Sequence, residues 1–166
     1  TPIVFVTVQT DQDVTGYGLT RTSQRFGAKE FINREVAPFL SGKNPLETER
    51  VWHELYKQFN PRAQTGMWSS AVSAIDIALW DIKGKHYKEP VWRLLGGAQN
   101  PVQAYVTFGL KQYTKDQLVE VAKQLGAQGE KRLKMVVAVD PENPKLDADR
   151  VRAVREAVGE DVELMI

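Results

Sequence analysis

The chain has 166 residues, a formal net charge of +1 and no cysteine. The absence of cysteine excludes disulfide bonds, thiolate metal ligands and a thiol nucleophile, and it indicates a cytoplasmic protein. The balanced charge gives no reason to expect nucleic acid or an acidic membrane surface as a partner. No apolar run approaches the ~20 residues that a membrane-spanning helix needs, so we expect no membrane partner.

The first part of the chain predicts a hairpin followed by a helix. Residues 3–10 are rich in β-branched and aromatic side chains, which favours a strand. Residues 15–19 return after a short polar turn and complete the hairpin. Ser23 is the predicted N-cap of a helix that continues to Ser41.

A second helix is predicted to begin at Asn44, a capping residue that is followed by proline at the first helical position. Asn60 and Pro61 are predicted to end it. Its apolar side chains are predicted on one face, and they are Trp52, Leu55, Tyr56 and Phe59.

Residues 71–85 predict a third helix, buried on several sides. Ile77 and Trp80 make most of its remaining surface apolar as well. The small residues along it allow close approach of a neighbouring element, and Gly84 is the predicted C-cap. The apolar residues that recur at helical spacing are Ala71, Ala74, Ile75, Ala78, Leu79 and Ile82.

After residue 100 the pattern changes to alternating strands and helices, which indicates parallel βα units. A closed barrel needs about eight such units, so we expect this part of the chain to begin a larger domain. The predicted elements are strands at 102–108, 132–137 and 162–166, a helix capped by Thr114, and a helix at 146–158.

A family resemblance is carried by two neighbouring segments, AVSAIDIALWDIKGK at 71–85 and PVWRLLGG at 90–97. Together they resemble the signature of the mandelate racemase/muconate lactonizing enzyme family of the enolase superfamily. The resemblance implies an α+β capping domain at 1–98, with its first strand missing upstream. It further implies that residues 99–166 are the first βα units of an α/β (TIM-like) barrel, and that the protein is a homo-oligomer.

Lys134 is the candidate catalytic residue, and Thr107 is a candidate substrate-binding residue at the end of the preceding strand. A lysine in an apolar strand is either an ordinary lysine with a packed stem or a charged group of a site. The resemblance implies the second, because the family carries Lys-x-Lys at this strand. Val136 replaces the second lysine. Valine cannot move a proton, so we expect the base to lie outside this chain.

The resemblance implies Mg²⁺ as the cofactor, held by acids at the ends of the third, fourth and fifth barrel strands. The first such acid is expected directly after Ile166, so no metal ligand is predicted within the chain. Glu163 lies too early in its strand, while Asp76 and Asp81 are expected to serve capping and ion pairing. His53 and His86 are expected to have structural or exposed roles.

Arg21 and Arg25 lie in the polar loop at 20–26, between the hairpin and the first helix. Two arginines can bind a carboxylate bidentately, and the family resemblance implies that a loop here helps to choose the substrate. The alternative is a solvated polar loop.

The implied reaction begins with metal-assisted removal of the proton α to a carboxylate of a small-molecule substrate. Dehydration of an acid sugar is the first choice, since a histidine base on a later strand would tolerate Val136. Racemisation, epimerisation or cycloisomerisation within the same family is the runner-up. A homologue without catalysis, which binds a ligand or builds an assembly, is the alternative from another class.

Overall fold

The structure is a computed structural model that describes residues 2–59, 66–98 and 101–166. Internal contacts divide the chain into two compact units, Thr1–Ala98 and Gln99–Ile166, here called unit 1 and unit 2. No helix in the described ranges is both long enough and apolar enough to cross a membrane.

The described residues of unit 1 form two strands and five helices, and a π-helical segment at Ile32–Val36 joins the first two helices. The strands form an antiparallel hairpin in which Val6 pairs with Gly18 and Val8 with Gly16. The elements are β1 (Ile3–Gln9), β2 (Thr15–Arg21), α1 (Arg25–Phe31), α2 (Ala37–Leu40), α3 (Thr48–Phe59), α4 (Met67–Tyr87) and α5 (Val91–Leu94).

The long helix α4 is the centre of unit 1, and the hairpin packs against it. Every residue that the helical spacing predicts on the buried face of α4 is indeed buried. A β-carbon at Gly18 would overlap the Ala74 carbonyl oxygen, and one at Gly16 would overlap that of Ala78. The predicted close approach of a neighbouring element to the small residues is therefore confirmed, with β2 as that element.

Two details of α4 differ from prediction. Ile77 is 46% exposed, because the hairpin, α1 and α3 cover other faces of the helix. Gly84 is not the C-cap, since α4 continues to Tyr87 and Lys88 adopts the left-handed conformation that ends it. The Lys88 amide donates back to the Gly84 and Lys85 carbonyl oxygens, which closes the last turn.

The first predicted helix consists of three consecutive parts, which are α1, the π-helical segment and α2. Pro38 lacks an N–H and would clash with the carbonyl four residues before it in a regular helix, so the wider π turn relieves the clash. The helix also starts later than predicted: its N-cap is Gln24 rather than Ser23, and no side chain caps it.

The helix α3 begins at Thr48, four residues after the predicted cap. Asn44 instead forms a turn, because its Oδ1 accepts a hydrogen bond from the Leu46 amide at 3.0 Å. The buried face is also rotated relative to the prediction. Val51 is 3% exposed whereas Trp52 is 39% exposed, because α3 turns Val51 and Leu55 into the same core as α4. Asn60 and Pro61 lie outside the described residues.

Unit 2 consists of a parallel three-stranded sheet, in the order β3-β4-β5, and two helices. The alternation of strand and helix that the sequence predicts is confirmed, as is Thr114 as the N-cap of α6. The structure adds that Gln117 completes a capping box with Thr114. The elements are β3 (Val106–Phe108), α6 (Lys115–Ala127), β4 (Arg132–Met135), α7 (Pro144–Val158) and β5 (Glu163–Met165).

The strands of unit 2 are shorter than predicted. β3 starts at Val106 rather than at residue 102, because β4 offers partners only to residues 106–108. β4 ends at Met135, and the positive φ of 58° at Ala138 takes the chain out of the extended conformation. Side chains on one face of the sheet pack against α6 and α7, and those at most 6% exposed are Phe108, Leu133 and Met135.

Candidate active site

The second face of the unit 2 sheet carries a row of three side chains across its strands. Lys134 of β4 is paired in register with Thr107 of β3 and with Met165 of β5. Successive residues of a strand point to opposite faces, so the buried Leu133 and Met135 turn Lys134 away from the helices. The row therefore combines one cation and one hydroxyl near the C-terminal ends of parallel strands.

Tyr105 is a member of this face that the sequence did not single out. It lies two residues before Thr107 and is 48% exposed. The Lys134 ammonium sits 5.2 Å from the centroid of its ring, within the range of a cation–π contact. The signal available in the sequence was the two-residue period of the strand, which puts Tyr105 and Thr107 on one side.

Val136 follows β4 directly, and its amide donates a hydrogen bond to the Phe108 carbonyl oxygen at 3.1 Å. This bond extends the pairing of the two strands past Met135. Strand alternation puts the Val136 side chain on the face of Lys134. The second position of the family's lysine pair is thus an apolar side chain beside the candidate catalytic lysine.

Glu163 is the carboxylate on this face, and it is held by Arg132. The guanidinium Nε and Nη2 atoms lie 3.0 and 3.4 Å from its two oxygens. Arg132 and Glu163 are register partners two residues before the row of Lys134, which agrees with a position too early in the strand for the mouth of a site.

The residues of this face do not by themselves fit a magnesium ion. Mg²⁺ prefers oxygen ligands in octahedral geometry, with carboxylates as the charged ones. The one carboxylate on the face is already paired with Arg132. Across the described ranges no group of three or more histidine, aspartate or glutamate side chains could hold a metal ion.

The two candidate substrate-binding arginines belong to unit 1, and both are exposed. Arg21 is the last residue of β2 and pairs in register with Ile3. Arg25 is the first residue of α1, and its guanidinium lies 4.4 Å from the centroid of the Phe26 ring. The two arginines therefore flank the segment at 22–24, one at the end of β2 and the other at the start of α1.

The acids of α4 differ in their surroundings. Asp81 accepts hydrogen bonds from the Tyr17 amide at 2.9 Å and from the Lys85 ammonium at 2.6 Å, so its expected structural role is confirmed. Burial raises the pKa of the Asp76 carboxyl above its ordinary value. The expected capping or ion-pairing role of Asp76 stays a prediction.

A groove of about 800 Å³ runs along β1 in unit 1. One wall is the whole of β1, and the opposite wall comes from α1 and the segment at 41–45. Its floor consists of core side chains of α3 and α4, namely Val51, Ile75 and Leu79. β1 has β2 as its only partner among the described strands, so its other edge faces this groove.

The family is decided by a match over residues 1–96 to the model of the mandelate racemase / muconate lactonizing enzyme N-terminal domain. The chain belongs to this family. The match covers the hairpin, every helix described in unit 1 and both segments that carry the signature except for Gly97.

Members of the mandelate racemase / muconate lactonizing enzyme family match beyond unit 1. D-galactarolactone cycloisomerase of Agrobacterium fabrum is 35% identical over 98% of this chain and 43% of its own length. Arabinonate dehydratase of Saccharolobus solfataricus is 31% identical over 99% of this chain and 44% of its own length. The structure of L-talarate dehydratase from a Polaromonas species, solved with Mg and L-glucarate, has a TM-score of 0.83 and 30% identity. The similarity covers 98% of this chain and 45% of that chain. The chain spans less than half the length of these relatives.

Proposed function

We propose that the whole protein is an acid-sugar dehydratase that removes the proton α to a carboxylate. The observation that carries this proposal is the row of Lys134 and Thr107 near the C-terminal ends of parallel strands, where α/β barrels hold their reactive groups. The proposal is supported by similarity to relatives named as an arabinonate dehydratase and an L-talarate dehydratase.

In this proposal unit 1 is the capping domain and unit 2 is the start of the barrel. The groove beside β1 receives a further strand, which lies upstream in the chain. The free edge of β1 supplies backbone hydrogen bonds to that strand. The apolar floor, formed by Val51, Ile75 and Leu79, receives every second side chain of it.

Lys134 binds and orients the substrate carboxylate. Its ammonium can donate up to three hydrogen bonds and lies over the ring of Tyr105. Thr107 offers a hydroxyl beside it, suited to one of the sugar hydroxyl groups. Arg21 and Arg25 are the candidate substrate-binding cations of the capping domain, and each can pair bidentately with a carboxylate.

The proposed cofactor is Mg²⁺, with its ligands on the strands that follow Ile166. Magnesium supplies charge stabilisation for the enolate when it is bound. Lys134 adds positive charge next to the same carboxylate, which lowers the cost of the second negative charge that develops as the α-proton leaves.

Because Val136 cannot move a proton, we expect the base to lie outside this chain, with Lys134 itself as the alternative. Two other functions follow from the same residue and from the relatives. Racemisation or epimerisation normally needs a base on each face of the α-carbon, and the valine removes one usual member of that pair. A cycloisomerase is favoured by the similarity to D-galactarolactone cycloisomerase. A non-catalytic homologue is the alternative from another class.

Dehydration is tested by incubating the full-length protein with Mg²⁺ and a panel of acid sugars in D₂O. A dehydratase with a single base forms a 2-keto-3-deoxy acid from one α-configuration only and returns no epimerised substrate. Exchange of the α-proton in both configurations would move the assignment to racemase. No exchange and no product with any member of the panel would favour the non-catalytic homologue.

The role of Lys134 is tested by Lys134→Ala in the full-length protein. We expect kcat to fall on the order of 10²-fold or more, the scale of a lost electrostatic or acid–base group. Lys131→Ala is the matched control, because Lys131 is exposed and precedes β4, and its kcat should be nearly unchanged. Equal losses in the two variants would contradict the role of the Lys134 face.

A further inference from the structure

Arg150 is a buried charge that has no carboxylate partner among the described residues. It lies in α7 and is 4% exposed, which makes it the one buried charged side chain in the part of the chain that the structure describes. Burial of an unpaired ion costs several kcal/mol, and an apolar residue of similar volume is often as stable or more so. Packing alone therefore does not account for an arginine here.

The guanidinium of Arg150 makes one hydrogen bond, at 2.7 Å from Nη1 to the Tyr113 carbonyl oxygen. Its Nε and Nη2 atoms are buried too, and neither has a hydrogen-bond partner among the described residues. What Arg150 contributes, and an apolar residue could not, is this charged donor to the backbone at Tyr113. Hydrogen bonds to charged groups contribute more than neutral ones.

Tyr113 is the last residue of the loop that leaves the C-terminal end of β3. The loop turns at Gly109, where φ is 76°, and the Tyr113 amide donates to the Leu110 carbonyl oxygen at 3.0 Å. The next residue, Thr114, is the N-cap of α6. Arg150 thus anchors the loop after β3 to a helix that belongs to the next βα unit.

One turn earlier, α7 also holds the loop that follows β4. The Asp147 carboxylate accepts hydrogen bonds from the Ala138 amide at 2.8 Å and the Val139 amide at 3.4 Å. Two successive turns of α7 therefore hold the loops that leave two neighbouring strands. These are the strands whose ends carry Thr107 and Lys134.

We propose that Arg150 is a positioning residue that anchors the loop after β3 to α7, the helix that also holds the loop after β4, and so fixes the chain at 109–113 that directly follows the strand of Thr107. The expected effect on turnover rests on the proposed function, whereas the expected effect on the loop does not. A misplacement of about 1 Å at a site can cost roughly 10²-fold in rate, so we expect a shift of the loop after β3 to be measurable in kcat.

The test compares Arg150→Met, Arg150→Lys and the control Arg152→Met in the full-length protein. Arg152 lies on the same helix but is exposed and paired with Asp149. Amide hydrogen exchange over residues 109–113 should accelerate about 10-fold or more in Arg150→Met, and remain unchanged in the control. Arg150→Lys keeps a charged donor and should retain most of the protection.

Turnover provides the second measurement, on the substrate that the wild-type protein converts. We expect Arg150→Met to lower kcat by about 10-fold or more, to change KM less than 3-fold and to leave Tm near the wild-type value. Arg150→Lys should recover most of the lost kcat. A purely structural arginine would instead lower Tm and the active fraction, with no rescue by lysine.

If Arg150→Met folds and its amides over residues 109–113 exchange at the wild-type rate, the proposal is overturned. Should Arg150→Met not fold, Arg150→Lys decides: a protected loop supports the proposal, and an unprotected loop overturns it. If the wild-type protein converts no acid sugar, the proposed function fails, and the exchange comparison still decides the role of Arg150.

Discussion

Unit 1 and unit 2 both pack helices on strands, but by opposite means. In unit 1 the strand β2 approaches α4 through Gly16 and Gly18, so that its backbone comes close to the carbonyl oxygens of Ala78 and Ala74. In unit 2 the sheet meets α6 and α7 through large side chains that are almost wholly buried, namely Phe108, Leu118, Leu133, Met135 and Val154.

The difference decides which substitutions each unit tolerates. An interface that depends on glycine is most sensitive to an added β-carbon. Protein interiors are close-packed, and shifting a backbone carbonyl group costs free energy. An interface made by large side chains is most sensitive to their removal, which leaves a cavity. Unit 2 also leaves the second face of its sheet to Thr107 and Lys134, so core and candidate site lie on opposite sides of three strands.

The largest expected effect is that of Gly18→Ala in unit 1. The new β-carbon would overlap the Ala74 carbonyl oxygen, so β2 must lift from α4. We expect a loss of more than ~3 kcal/mol in the free energy of unfolding, at or beyond the usual limit for overpacking. Urea unfolding of the 166-residue chain, followed by tryptophan fluorescence, measures it, because all four tryptophans lie in unit 1.

Gly126→Ala is the control for this variant. Gly126 lies in α6, and a β-carbon added there would have no neighbouring atom within 4 Å. Alanine in a helix is favoured over glycine by about 0.5–1 kcal/mol, so a small gain is expected. If Gly18→Ala and Gly126→Ala had similar free energies of unfolding, the packing of the hairpin on α4 would not depend on glycine.

The next effect in size is that of Leu133→Ala in unit 2. Leu133 is 0% exposed at the centre of the sheet, and leucine-to-alanine changes in cores cost about 2–5 kcal/mol. We expect about 3 kcal/mol, measured as faster amide exchange throughout β3, β4 and β5. Leu110→Ala changes a site that is 56% exposed. It should alter the free energy of unfolding, as measured by amide exchange, by less than ~0.5 kcal/mol. Similar losses from both would contradict a core limited to one face.

The smallest effects are electrostatic and have opposite signs within unit 1. Burial raises the pKa of Asp76 above its ordinary value of 3.8. Between the ordinary pKa and the raised pKa, the folded state therefore binds more protons than the unfolded state. Stability is lost across that window and stays lower above it. Asp76→Asn should therefore stabilise the protein at pH 7, by less than ~0.5 kcal/mol, and have no effect below pH ~3.

Glu54→Gln is the matched variant of opposite sign. Hydrogen bonds from Lys43 and then Arg50 hold the pKa of Glu54 below its ordinary value. The stability that this carboxylate contributes is present above the ordinary pKa and is lost as pH falls through the folded-state pKa. Thermal unfolding of both variants at pH 7 and pH 3 measures the pair. A gain for Glu54→Gln at pH 7 would contradict the ion pairs seen here.

Local patterns in the sequence were enough for the elements whose reasons lie within a few residues. The apolar spacing from Ala71 to Ile82 predicted the buried face of α4, and it did so because several partners cover that helix. Thr114 predicted the start of α6, because a capping side chain binds backbone amides of the first turn that directly follows it. The alternation of strand and helix predicted parallel pairing, because a parallel pair needs a crossover between its strands.

The sequence did not reveal features that depend on residues far apart in the chain. Gly16 and Gly18 look like ordinary turn residues until α4 lies against them. Trp52 and Val51 are both apolar, and only contact with α4 decides which is buried.

The candidate site divides in the same way. The apolar strand and the family resemblance were sufficient to single out Lys134 in the sequence. Tyr105 and Arg150 emerge only from the tertiary structure, because the Lys134–Tyr105 contact joins two strands and the Arg150–Tyr113 bond spans 37 residues. A periodic pattern tells which side chains share a face, but the surface that meets that face is set by other parts of the chain.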